Sequence, residues 1–209
     1  VEAYLTNDIA GKDGYYHLLL LAKNLRGYQS LLRATTIAHT EGFKRKPRID
    51  WNVLQSLEDV IVTTACVGGP LIKDFLRSEY NDFATGQSNL QRLKAIFGSD
   101  LFVELQVHGS RMPEMFYKTN QYAMEMAKRY GVKTVMTNDI HFVDQTDMEA
   151  HRMWVALGQG KTIDKLDYYY DESFYIKGAE EMRSIAPNQE CCDMTLEIND
   201  MIDFIDLNI

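Results

Sequence analysis

Apolar residues in this chain fall into short β-branched runs separated by longer stretches with helical spacing, and that alternation predicts most of the elements. Glu2 to Leu5 reads as a short strand, Thr6 to Gly14 as a polar turn rich in Asn, Asp and Gly, and Tyr15 to Ala22 as a strongly apolar second strand whose one clearly polar residue is His17. The spacing of Tyr28, Leu31, Leu32 and Ala38 predicts a helix over about Leu25 to Ala38. Asp50 to Leu57 reads as a short helix. DVIVTTA, from Asp59 to Ala65, reads as a strand ending at Cys66 and the glycines 68 and 69, with Pro70 in the first turn of the helix that follows. Ser88 to Phe97 is a helix closed by Gly98, Leu101 to Val107 a strand, and Glu114 to Tyr130 a helix closed by Gly131.

The run VKTVMTNDIHF, from Val132 to Phe142, is apolar on both faces and reads as the buried central strand. Side chains alternate along a strand, so Asp139 and His141 are expected on one face at its C-terminal end, where reactive groups sit in parallel α/β sheets and barrels. A strand-end Asp capping a turn beside a partly buried His is the alternative. Strand and helix alternate from Tyr15 to Phe142, which gives an α/β fold class with a parallel sheet or an incomplete barrel. Beyond Phe142 the pattern turns helical. Thr146 with Glu149 reads as a capping box opening a helix to about Leu157, ended by Gly158 and Gly160. A Tyr- and Asp-rich loop from Asp164 to Asp171, an extended piece from Phe174 to Lys177, and helices around Ala179 to Ile185 and Gln189 to Met201 follow. The expected division is a barrel-type segment over 1–145 and a helical connection over 146–209.

Composition narrows the function classes. A chain of 209 residues, 45% hydrophobic, can bury a real core, and the formal net charge of -8 argues against nucleic-acid binding by overall charge alone. Local basic patches remain open, and Lys44, Arg45, Lys46 and Arg48 form one, either a solvated face or a grip on phosphate. No apolar run approaches the roughly 20 residues of a membrane span, so a cytoplasmic protein without membrane contact is expected. Cys66, Cys191 and Cys192 imply no disulfide framework. The chain begins at Val1, directly in a strand, and is expected to be a piece of a longer protein.

Glu2, His17, Cys66, Asp139 and His141 each fall on or at the end of an expected strand. If those strands are neighbours, carboxylates, imidazoles and a thiol converge on one rim, a donor set suited to Zn²⁺, with Mn²⁺ or Mg²⁺ acceptable to the carboxylates. More donors than one tetrahedral ion uses imply a multinuclear site, the usual device for phosphoester chemistry. Each residue also has a plainer role: Glu2 as an edge residue, His17 as a satisfied core histidine, Cys66 as a small buried hydrophobe.

VEAYL, YYHLLLLAKNLRGYQSLL, EGFKRKPRID, TACVGG, FVELQVHG, TNDIHF, TDMEAHRMWVALGQGKTID and SFYIKGAEEM, in that order, closely resemble the PHP (polymerase and histidinol phosphatase) domain of the bacterial DNA polymerase III alpha subunit. The resemblance implies a distorted (β/α)₇ barrel of TIM type whose rim holds up to three metal ions, commonly zinc or manganese. By it, Glu2, His17, Cys66, Asp139 and His141 are metal ligands, and Asp139 and His141 hold the ion that activates water. His108 is a rim residue supporting the ligands, His151 is structural, and Arg48, in a K-P-R turn, contacts an incoming phosphodiester. The family's H-x-H motif and further ligands lie upstream of the strand carrying Glu2, so the chain is expected to lack the first strands of the barrel and to carry about half a site. The implied function is a segment of a DNA-directed DNA polymerase in DNA replication, with a metal-dependent 3′–5′ exonuclease of proofreading type in the full-length protein and no activity in the fragment alone. DNA, a separate proofreading subunit and the sliding clamp are the implied partners. Two alternatives stay open: a structural and interaction module with a vestigial metal, and a free-standing PHP phosphatase.

Overall fold

The computed structural model describes residues 1–12, 14–108, 114–166 and 170–206; part of the Tyr- and Asp-rich loop, residues 167–169, lies outside them. Among the described residues six strands, β1 Glu2–Thr6, β2 Tyr16–Ala22, β3 Arg48–Asp50, β4 Val60–Thr63, β5 Leu101–Gln106 and β6 Lys133–Thr137, form one sheet in the order β3-β1-β2-β4-β5-β6. The α/β class holds. Against the expectation of a parallel sheet or incomplete barrel, the described sheet is mostly parallel, with β2 running antiparallel to both β1 and β4. The cause is local: β1 and β2 are joined by a polar turn with no crossover helix, and such a link can only reverse the chain. The start of β2 therefore lies beside the end of β4, with the His17 N–H donating to Gly68 O at 2.9 Å.

Helices α1 Leu25–Thr40, α2 Trp51–Gln55, α3 Lys73–Arg77, α4 Ala84–Phe97 and α5 Glu114–Tyr130 connect the strands, and α6 Met148–Gln159, α7 Ala179–Ile185 and α8 Glu190–Asp200 follow them. Local chemistry sets several ends. The Asn24 side chain accepts from the Gly27 N–H to start α1, and the Asp50 carboxylate accepts from the N–H groups of Asn52 and Val53 to start α2. Gly131, at a φ of 61°, closes α5 in the left-handed region that L side chains avoid and turns the chain into β6. The helix after Phe142 is capped one turn differently from the sequence expectation. Asp144 and Asp147 make the reciprocal cap, over a 3₁₀ turn, in place of Thr146 and Glu149.

Strand alternation sorts the two faces. Leu18, Leu20, Val62, Val103 and Leu105 belong to the main core with Leu31, Leu90, Leu93, Ala123 and Met126 of α1, α4 and α5. A fully buried Leu there contributes about 1.5–3 kcal/mol relative to exposure. The opposite face carries Ile61, Phe102 and Val135, packed with Ile198 of α8. The helical stretch beyond 145 thus returns to the sheet, with α8 lying against β6. Toward the C-terminal ends of β4, β5 and β6 this second face turns polar, and there the candidate residues collect. No described helix is long and apolar enough to cross a membrane.

Candidate functional site

His17 is the centre of the first group. The β1–β2 register sets it opposite Tyr4, with Glu2 one step along the same face of β1. Glu2 Oε1 lies 3.1 Å from His17 Nδ1, and Cys66 Sγ lies 3.5 Å from the same nitrogen. Carboxylate, imidazole and thiol thus meet at one ring atom. Cys66 is held there by a tight turn after β4: its sulfur accepts from the Gly68 N–H at 3.3 Å and its carbonyl from the Gly69 N–H at 2.8 Å. A Cβ on Gly69 would fall 1.9 Å from Thr64 O, so the turn closes only around glycine. Ala65, at a φ of 54°, takes left-handed backbone in the same turn, a strain of order 1 kcal/mol of the kind found at functional sites.

Asp139 and His141 form the second group, with Asp139 Oδ1 3.3 Å from His141 Nε2. Strand alternation does not produce this contact, as β6 ends at Thr137 and both residues lie in the loop beyond it. The loop is pinned instead by the extended piece around Phe174, whose carbonyl accepts from the His141 N–H at 2.9 Å, with Phe142 bridged to Tyr175. His151 of α6 stands beside His141, ring centroids 5.6 Å apart, and Tyr170 packs on both rings.

Electrostatics tie the groups together. Burial lowers the basicity of His17 against the pull of Glu2, and the cations of Lys73 and Lys46 push the same way as burial. Burial raises the Cys66 thiol, the Gly68 N–H opposes it, and the carboxylates of Asp139 and Glu104 raise it further. Asp139 is therefore felt at Cys66 across the rim. Among the described residues, however, no three of these His, Cys, Asp and Glu side chains close into a cage around a metal ion. The donor chemistry fits a divalent metal: Glu2 and Cys66 each contact His17 Nδ1, while the Asp139–His141 pair stands apart.

Two residues behave differently from their sequence expectations. Arg48 is only 2% exposed and lies in β3, not in a turn, and its guanidinium donates to the main-chain carbonyls of Gly42, Ile9 and Gly11. Those bonds staple the β1–β2 turn to the loop after α1, which occupies the group expected to receive a phosphate. His108, 1% exposed, stacks on Phe174 at 4.2 Å and meets the edge of Phe116 at 4.7 Å, and among the described residues neither ring nitrogen has a hydrogen-bond partner. Burial lowers its pKa to about 4, against the pull of Asp139.

Glu104 is not among the residues that the sequence pattern picks out. It is buried on the polar face of β5, where its carboxylate accepts from the hydroxyls of Thr63 and, at 2.6 Å, Thr137, while its N–H donates to Thr64 Oγ1 at 3.0 Å. The network locks the ends of β4, β5 and β6 in one layer beneath Cys66 and the Asp139 loop. Its only sequence signal was a Glu inside the apolar run FVELQV, flanked on neighbouring strands by threonines.

A family model for the PHP domain matches residues 1–108, more than half of the chain. The chain belongs to the PHP domain family. The matched stretch of this PHP domain contains Glu2, His17, Cys66, Glu104 and His108. The chain is 38% identical over 203 residues to the DNA polymerase III subunit alpha of Thermus aquaticus, covering 94% of this chain and 16% of that protein. It is 34% identical over 193 residues to the DNA polymerase III subunit alpha of Borreliella burgdorferi, with 87% and 16% covered, and 33% identical over 184 residues to that of Deinococcus radiodurans, with 86% and 13% covered. This PHP domain thus spans a small part of the length of the curated relatives it matches.

Proposed function

We propose that this chain is the PHP-domain segment of a replicative DNA polymerase alpha subunit, acting in DNA replication, and that the rim around His17 is a metal-dependent phosphoester-hydrolysing site of 3′–5′ exonuclease type in the full polypeptide. The observation that carries the hydrolytic part is the meeting of Glu2, Cys66 and His17 at one imidazole nitrogen. Glu2, His17, Cys66, Asp139 and His141 would hold zinc or manganese, with magnesium acceptable to the carboxylates. Such an ion, when bound, supplies a Lewis acid and lowers the pKa of water toward neutrality. The Glu104–threonine layer would keep the ends of β4, β5 and β6 fixed beneath these ligands. Nucleotide addition belongs elsewhere in the polypeptide, and DNA and the other replicase subunits, including a proofreading subunit and the sliding clamp, are its partners in the cytoplasm. On this view residues 1–145 form the barrel segment and 146–209 the connection onward.

Metal analysis of the full polypeptide that carries this chain, paired with degradation of a 3′-labelled single-stranded oligonucleotide, tests the reading. Asp139→Asn and Cys66→Ser should each lower metal content and remove the degradation. A wild-type protein that takes up neither zinc nor manganese would overturn it.

A second reading, a bracing and docking module, draws on the exposed apolar side of α6, where Trp154 is 75% and Leu157 76% exposed. Under it, Asp139→Asn lowers the melting temperature and leaves exonuclease rate unchanged.

A further inference from the structure

The notable charge feature outside the His17 group is a cleft of about 580 Å³ whose described lining includes Lys12, Lys44, Arg45, Lys46, Arg48 and Tyr15. In a chain of net charge -8 this concentrates positive potential at one place. The cleft is built, not incidental. Lys44 and Lys46 pair across a tight turn with Arg45 at its apex, at a φ of 66°. Lys44 Nζ donates to the carbonyls of Ala10 and, at 2.8 Å, Gly11, and buried Arg48 holds the same loop from beneath. Lys44 and Arg48 therefore shape the walls, and Lys12, Arg45 and Lys46 present charge to solvent.

The cleft opens toward the candidate site along a row of rings. Lys46 lies over the Tyr4 ring at 5.1 Å, Tyr4 meets both Tyr15 and His17 edge-on, and Tyr15 stacks on His17 at 5.8 Å. Lys73 lies over Tyr15 from beyond, at 5.0 Å. Closely spaced cations alternating with aromatic faces match a single strand, which offers both a phosphate backbone and unpaired bases. A duplex hides its base faces, and a free anion needs no aromatic row.

We propose that this cleft binds the backbone of single-stranded nucleic acid and leads it to the Glu2–His17–Cys66 group. The proposal rests on the phosphodiester reading above for what lies at the end of the track, but binding itself requires no hydrolysis. It is tested in the full polypeptide, in EDTA, by acetylation footprinting with oligothymidylate as the probe. Lys12 and Lys46 should lose reactivity with the oligonucleotide and keep it with inorganic phosphate at equal phosphate concentration. The exposed-site triple variant Lys12→Gln, Arg45→Asn, Lys46→Gln, with Asn chosen because it tolerates the left-handed backbone, should flatten the log–log salt dependence of oligonucleotide affinity by about 2, at about 0.7 per phosphate contact. Unprotected lysines, equal protection by inorganic phosphate, or an unchanged salt slope would each overturn the proposal. A protein that shows the footprint but degrades no strand when metal is restored refutes the hydrolytic reading alone.

Discussion

His108 makes a sharp prediction because its imidazole is buried without a hydrogen-bond partner among the described residues. Its pKa falls from 6.5 to about 4 on folding, through burial. Above pH 6.5 the ring is neutral in both states and contributes no pH dependence. Between 6.5 and about 4 the unfolded chain binds a proton that the folded chain refuses, so stability falls as the pH falls. At 1.36 kcal/mol per pKa unit the loss from pH 7 to pH 4 comes to about 3 kcal/mol from this one residue. His108→Phe keeps an aromatic ring against Phe174 and removes the titration. Urea unfolding followed by fluorescence of the buried Trp51, at four pH values from 7 to 4, should show the wild type losing about 3 kcal/mol more than the variant. Parallel stability curves for the two proteins would refute the reasoning, since they would mean that the folded ring accepts its proton at the ordinary pKa.

Glu104→Ala strips the acceptor from the Thr63 and Thr137 hydroxyls and should cost about 2–4 kcal/mol in urea unfolding, because each buried donor left unpaired costs roughly 1–3 kcal/mol. Gly69→Ala forces a Cβ against Thr64 O and should destabilise by about 3 kcal/mol, read as a lowered melting temperature together with faster alkylation of Cys66. Arg48→Gln should act on stability before it acts on any ligand: with the guanidinium's bonds to the carbonyls of Gly42, Ile9 and Gly11 lost, a loss of about 3 kcal/mol is expected. Oligonucleotide affinity per folded molecule should change less than in the Lys12, Arg45 and Lys46 variant. The reverse order would restore Arg48 as a direct phosphate ligand.

Much of this was legible where periodicity is long and unambiguous. α5 and the apolar core of β6 fall where the pattern puts them, and His17 and Cys66 stand out because each is a lone reactive group at the edge of an apolar run. β3 was not legible. It is three residues long, follows Pro47 and begins with an arginine, and only parallel pairing with β1 makes it a strand. Glu104 reads in sequence as one polar position of an alternating strand, which normally means solvent. Its burial depends on threonines from two other strands, a coincidence visible only once the sheet is assembled. The Asp139–His141 contact was anticipated for the wrong reason, since a loop tied to Phe174 supplies what strand geometry was expected to supply.

The reversed direction of β2 makes the β1–β2 pairing a gauge of position as well as a source of stability. With Tyr4 opposite His17 and Leu5 opposite Tyr16, the imidazole emerges on the face of Glu2 while Leu18 enters the core. A slip of one residue would exchange them, sending the ring in among Leu5 and Leu20 and a leucine out toward Cys66. Side chains in the intervening turn are free to diversify, and with them the chemistry at the mouth of the cleft. What descent must preserve there is parity: whether an odd or an even residue of the second strand looks toward the rim.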